Sequence, residues 1–87
     1  MIEIFYSKMC GACHQAMDYF DSKGLTYQSY EVTWQGEELA DSETARDLLS
    51  RFPQVNTVPQ IFINDKHIGG WKDLSALIDS GEIDNFC

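Results

Sequence analysis

The chain has 87 residues, of which 44% are hydrophobic, and fourteen acidic side chains against six basic ones give a formal net charge of -8. That length supports one core rather than two, so a single domain over 1–87 is expected, and the acidic balance excludes a polyanion such as nucleic acid as partner. Three cysteines are an odd number and too few to staple a secreted scaffold, so apolar packing must hold the fold in a reducing compartment.

Met1 to Tyr6 reads as a short buried strand, and Cys10-Gly11-Ala12-Cys13 follows it directly. Two cysteines with two residues between them close a small disulfide ring. A strand ending just before them places the pair at a helix N-terminus, where unpaired amides and aligned peptide dipoles stabilise a thiolate. A free cysteine, with a pKa of about 8.5, is only slightly ionised at neutral pH, so that position alone raises reactivity roughly tenfold or more. Lys8, two residues before Cys10, adds charge attraction.

Cys13, Ala16, Met17 and Phe20 recur on one face of the following helix, and Lys23-Gly24 is its stop signal. Cys13 is therefore expected to be buried, with Cys10 at the exposed tip. Thr26 to Val32 reads as a second strand, parallel to the first through a right-handed crossover. Thr33 to Ala40 is read as a polar loop. The acids Glu31, Glu37, Glu38, Asp41 and Glu43, with no base among them, read as a solvated face.

Ala45, Leu48, Leu49 and Phe52 mark a second amphipathic helix, capped by Asp41 or Ser42 and stopped at Pro53. Gln60 to Ile63 and Lys66 to Ile68 are short strands around the turn pair Asn64-Asp65. Gly69-Gly70 then breaks the chain. Leu74, Leu77 and Ile78 form the face of a third helix ending at Gly81, with Ile83 and Phe86 packing the tail. The order β-α-β-α-β-β-α fits an α/β domain, a four-stranded mixed sheet with helices on both faces.

Strand, Cys10-x-x-Cys13 and helix, then Thr57-Val58-Pro59-Gln60-Ile61-Phe62-Ile63 and His67-Ile68-Gly69-Gly70, together closely resemble the glutaredoxin family, of the small dithiol, bacterial or phage-like type. The resemblance covers nearly the whole chain and implies the thioredoxin fold. It makes Cys10 the nucleophile and Cys13 the resolving thiol, and it implies a cis peptide before Pro59. Glutathione, as co-substrate, would lie along the backbone of Val58 beside Thr57 and Pro59. Lys8 would meet its glycine carboxylate, and Gly70, Trp71, Lys72 and Asp73 would hold its γ-glutamyl end.

Between the cysteines this chain has Gly11 and Ala12 where the family most often has proline and tyrosine. Tyr6 and Trp71 are the candidates to replace the missing aromatic. Asn56 stands where a basic residue often precedes the threonine.

The implied activity is reduction of protein disulfides and protein-glutathione mixed disulfides, with a potential of roughly -200 to -230 mV. Ribonucleotide reductase is the client that family analogy suggests. Two alternatives are a redoxin reduced by thioredoxin reductase and a carrier whose Cys10, with glutathione, ligates a [2Fe-2S] cluster between two subunits. Otherwise no tightly bound cofactor or metal is expected.

Cys10-x-x-Cys13-His14 also matches the haem attachment pattern, but that use requires export. The sequence carries no apolar run of about eighteen residues and no basic and apolar leader of the signal type. A cytoplasmic monomer without a membrane partner is expected. His14 reads as a surface residue, His67 as a strand residue without a chemical role, and Cys87 as a terminal thiol without function.

Overall fold

The computed structural model describes residues 1–86, so the expectation for Cys87 lies outside the described residues. β1 (Ile2–Tyr6) is the strand from which both faces of the molecule are built. Alternation sends Ile2 and Ile4 to one side, where they pack with Ala16, Phe20, Ile61, Ile63, Leu74 and Ile83. Phe5 points to the other side, against Val32, Leu48 and Phe62. A strand apolar on both faces requires cover on both faces, and the helices supply it.

α1 (Gly11–Ser22) follows, and Lys23 donates its amide to the carbonyl of Tyr19 at 3.1 Å to close it. β2 (Tyr27–Glu31) then returns parallel to β1, pairing Ile2 with Tyr27 and Phe5 with Tyr30. The segment read as a polar loop contains a small antiparallel hairpin, β3 (Trp34–Gln35) and β4 (Glu38–Leu39). Its turn is Gly36-Glu37, with glycine at the first central position at φ +63°, and Trp34 stands opposite Leu39. Strands of two residues are too short to leave an alternating pattern, which is why the sequence reads as loop there.

α2 (Glu43–Arg51) begins at Ser42, whose hydroxyl accepts the amide of Ala45 at 3.0 Å, and ends before Pro53. Leu48 faces the sheet. Leu49, expected on the same face, is turned about 100° from it and remains 41% exposed.

β5 (Gln60–Ile63) and β6 (Lys66–Gly69) form a hairpin whose turn residues Asn64 and Asp65 both take the left-handed conformation. β5 runs antiparallel to β1, giving the order β2-β1-β5-β6 in one mixed sheet. α3 (Trp71–Ser80) stops at Gly81, and a short 3-10 turn (Glu82–Asn85) brings Ile83 and Phe86 onto the α1/α3 side of the core. The sheet with helices on both faces is the thioredoxin fold.

Across the α2 side, Arg51 donates to both carboxylate oxygens of Glu3, at 2.7 and 3.1 Å, while its guanidinium lies 4.2 Å over the ring of Phe62. These hydrogen bonds and the attached charge hold Glu3 below, and Arg51 above, their ordinary pKa ranges. The pair fastens the end of α2 to the centre of the sheet, where α2 is otherwise held by Leu48 and Phe52.

Candidate active site

Cys10 is the cap of α1, with extended backbone at φ -92° and ψ 107°, and its sulfur accepts the amide of Cys13 at 3.1 Å. The sulfur thus takes the place that a serine or aspartate oxygen usually holds at a helix start. Cys13 lies one turn further in, fully buried, and the two are joined by a disulfide with Cα atoms 5.2 Å apart. Cys10 remains partly exposed. The inequality expected from the sequence is present, one sulfur at the surface and one behind it.

On the other side of Cys10 runs the segment from Asn56 to Pro59. The carbonyl of Val58 lies 3.5 Å from the Cys10 sulfur, and the Val58-Pro59 peptide is cis, as expected. This turn is braced from beneath. Gln60, almost fully buried, donates from Nε2 to the carbonyl of Thr57 at 2.9 Å, and its Oε1 faces Nε2 of His67 at 2.7 Å. Because the Gln60 amide nitrogen is engaged with a carbonyl, its oxygen must accept, and His67 Nε2 carries the proton.

The imidazole lies 4.3 Å from the ring of Phe52 and 5.0 Å from that of Phe62, centre to centre. Its burial pushes the pKa down, against the opposite pull of Asp73. His67, read as a plain strand residue, therefore supports the turn through Gln60. Only the alternating placement of Gln60 and His67 on neighbouring strands hints at this in the sequence.

Thr57, Val58, Pro59, Gly70, Trp71, Lys72 and Asp73 line one open groove of about 450 Å³, together with Ala12. Gly69 and Gly70 let its walls approach. Gly69 has φ +116°, and a Cβ there would come within 2.9 Å of Asp73 Cγ. Asp73 accepts the amide of Gly70 at 3.0 Å, which fixes the first turn of α3 at the edge of the groove. Seven of the eight residues expected to bind one ligand are thus brought together.

Lys8 is the eighth, and it lies elsewhere. Its side chain, 78% exposed, has Nζ 3.9 Å from Glu31 and lines a separate groove with Met9 and Trp34. The aromatic beside Cys10 also differs from expectation. Trp71 lines the first groove, but the indole that shares a groove with Cys10 is that of Trp34, on the unforeseen hairpin. Tyr6 lines neither. His14 is exposed and contacts the carbonyl of Lys8 at 3.0 Å. Among the described residues, no group of three or more His, Cys, Asp or Glu side chains is placed to hold a metal ion, and no helix is long and apolar enough to cross a membrane.

Comparison with known proteins agrees with this arrangement. The family model described as Glutaredoxin matches residues 2–68. A probable glutaredoxin of Synechocystis sp. is 34% identical over 83 residues, covering 95% of this chain and 88% of that relative. Glutaredoxin 3 of Escherichia coli K12 is also 34% identical over 83 residues, with 95% and 92% coverage. Among solved structures, a buckwheat glutaredoxin-glutathione complex superposes with a TM-score of 0.74 at 27% identity, covering 98% of this chain and 74% of that one.

Proposed function

The chain belongs to the glutaredoxin family of thiol-disulfide oxidoreductases, and from that premise we propose that it uses glutathione to reduce protein disulfides and protein-glutathione mixed disulfides. One observation carries the reading: the sulfur of a partly exposed Cys10, with Cys13 buried one turn behind it, lies 3.5 Å from the carbonyl of Val58, and the segment Thr57 to Pro59 forms one groove with Gly70 to Asp73.

Glutathione is a short peptide with two carboxylates and one ammonium group, and its cysteine residue and both charged groups of its γ-glutamyl end have counterparts here. The backbone of Val58, which lines the groove, suits its cysteine residue, as one strand suits another. The amides of Trp71 and Lys72 at the start of α3 suit the γ-glutamyl carboxylate, the Lys72 ammonium adds attraction, and the Asp73 carboxylate suits the amine. Lys8, with its ammonium 3.9 Å from Glu31, lines a separate groove and is no wall of this one. The buckwheat protein, whose crystals contain glutathione, supports the placement by analogy.

For a mixed disulfide, the Cys10 thiolate attacks the glutathione sulfur, a Cys10-glutathione disulfide forms, and the protein leaves as a thiolate that takes a proton. A second glutathione thiolate then attacks the adduct. Oxidised glutathione departs, and Cys10 is again a thiolate held by the amide of Cys13. For a protein disulfide, Cys10 first joins the client, and Cys13 then gives up its proton and displaces the client as a thiol. Two glutathiones reduce the resulting Cys10-Cys13 disulfide. A client of the ribonucleotide reductase type would be served by this second route.

The test is NADPH oxidation with glutathione, glutathione reductase and a glutathionylated peptide. Cys10→Ser is expected to lower the rate by about a thousandfold or more, whereas Cys13→Ser keeps the deglutathionylating rate within a few-fold and loses reduction of protein disulfides. A native chain inactive here but reduced directly by thioredoxin reductase would replace glutathione as the electron donor.

A further inference from the structure

We propose that the β3–β4 hairpin selects protein clients, by receiving a segment in which basic and apolar residues flank the disulfide cysteine. The inference rests on Cys10 being the nucleophile. It goes beyond that in naming which clients the site favours.

Trp34 is the centre of the argument. Its indole lines a groove of about 560 Å³ that includes Cys10 and Val58, a second groove with Met9 and Glu31, and a third with Leu39 and Leu49. Met9 is 96% exposed and Leu49 41% exposed, so an apolar track runs from the loop before Cys10, across Trp34, to the outer edge of α2. A broad aromatic surface at the middle of such a track is the kind of anchor that dominates peptide interfaces. Because Cys10 borders the track, a client held in a mixed disulfide with its sulfur has chain on both sides to lay along it.

Charge decides the kind of client. Among the described residues lining these three grooves, the acids are Glu31, Glu37 and Glu38, and the base is Lys8, which already lies 3.9 Å from Glu31. Glu37 and Glu38 come from the hairpin itself and face the grooves with no basic side chain within ion-pair distance among the described residues. The glutathione groove instead offers Lys72 with Asp73. A basic segment is therefore attracted to the hairpin side while the anionic glutathione is directed to the other.

In the reaction, Cys10 attacks one sulfur of the client disulfide, the client's other sulfur leaves and takes a proton, and Cys13 later releases the first sulfur as a thiol. The client gains two electrons and two protons. The Cys10-Cys13 pair becomes the disulfide, and two glutathiones reduce it.

The experiment compares two peptides closed by an internal disulfide, identical except that lysine and leucine flank one cysteine in the first and glutamate and leucine in the second. Hydroxyethyl disulfide serves as a client without side chains. At low salt the native chain is expected to show about a fivefold higher kcat/KM for the lysine peptide, a preference that fades as salt is raised. Replacing both hairpin acids, Glu37→Lys with Glu38→Lys, should erase or invert it. Trp34→Ala should lower both peptides about fivefold more than it lowers hydroxyethyl disulfide.

Equal kcat/KM for the two peptides, with hydroxyethyl disulfide turned over, overturns the hairpin's role and leaves the glutathione chemistry standing. Failure of the native chain on all three substrates overturns the glutathione chemistry, and the hairpin's role with it.

Discussion

The groove on the Pro59 side of Cys10 and the groove on the Trp34 side share Asn56, Thr57 and Val58 but rest on different supports. The first is framed by regular structure. Its floor turn is held through Gln60 and His67 to the sheet, and its far wall is the capped first turn of α3. The second is framed by two strands of two residues, closed on themselves and joined to no strand of the main sheet. A ligand of fixed shape is best met by walls that do not move, because little ordering is left to be done on binding. Clients of varied shape suit a small appended element, whose side chains can change without disturbing the core.

Breaking the first groove should have the larger effect. Gly69→Ala places a Cβ at a backbone angle that other residues rarely adopt and against the Asp73 carboxylate. A stability loss of about 2 to 3 kcal/mol is expected. The KM for glutathione should rise several-fold, because the start of α3 is displaced, while the lysine-over-glutamate peptide preference persists. Steady-state kinetics with glutathione and with the two peptides separate these effects.

A smaller change sharpens the contrast by weakening the frame and sparing both grooves. Arg51→Met removes the partner of Glu3, on the sheet face between β1 and α2. A cost of about 2 kcal/mol is expected, seen as a Tm lower by roughly 10 °C, with glutathione KM and peptide preference unchanged at 25 °C.

The same pair gives the pH dependence its sign. Arg51 lowers the folded pKa of Glu3, so the unfolded chain binds more protons as pH falls below the ordinary carboxylate value. The stabilisation is complete above about pH 4.5 and is lost as pH falls through the folded value. His67 works in the same direction from a higher starting point, since burial lowers its folded pKa and only the unfolded chain is readily protonated below about pH 6.5. Urea unfolding should show stability decreasing slightly from pH 7 to 5 and more steeply below. In Arg51→Met the steeper part should flatten.

The first groove was largely legible in the sequence, whereas the second was not. Gly69-Gly70, Thr57-Val58-Pro59 and the two cysteines are residues whose backbone geometry or reactivity few others can supply, so they mark their positions even without coordinates. The apolar alternation of Ile2, Ile4 and Phe5, and the spacing of Cys13, Ala16 and Phe20, likewise carry the sheet and the first helix.

The hairpin left no such mark. Trp34 and Leu39 meet only because Gly36 turns the chain between them, and their four strand residues are too few for a pattern. Glu3 with Arg51, and Gln60 with His67, are pairings between elements, and periodicity within one element says nothing of what lies opposite. Lys8 lines a different groove from the other seven for a related reason: nearness to Cys10 along the chain does not decide on which side of it a side chain falls.

The most direct test is to incubate Cys13→Ser with oxidised glutathione and map the adduct by peptide mass spectrometry. Cys13→Ser removes the buried sulfur that would otherwise resolve the intermediate, so one glutathione is expected on Cys10, and added reduced glutathione should remove it rapidly. Absence of an adduct on Cys10, or one confined to Cys87, would contradict Cys10 as the nucleophile that exchanges with glutathione.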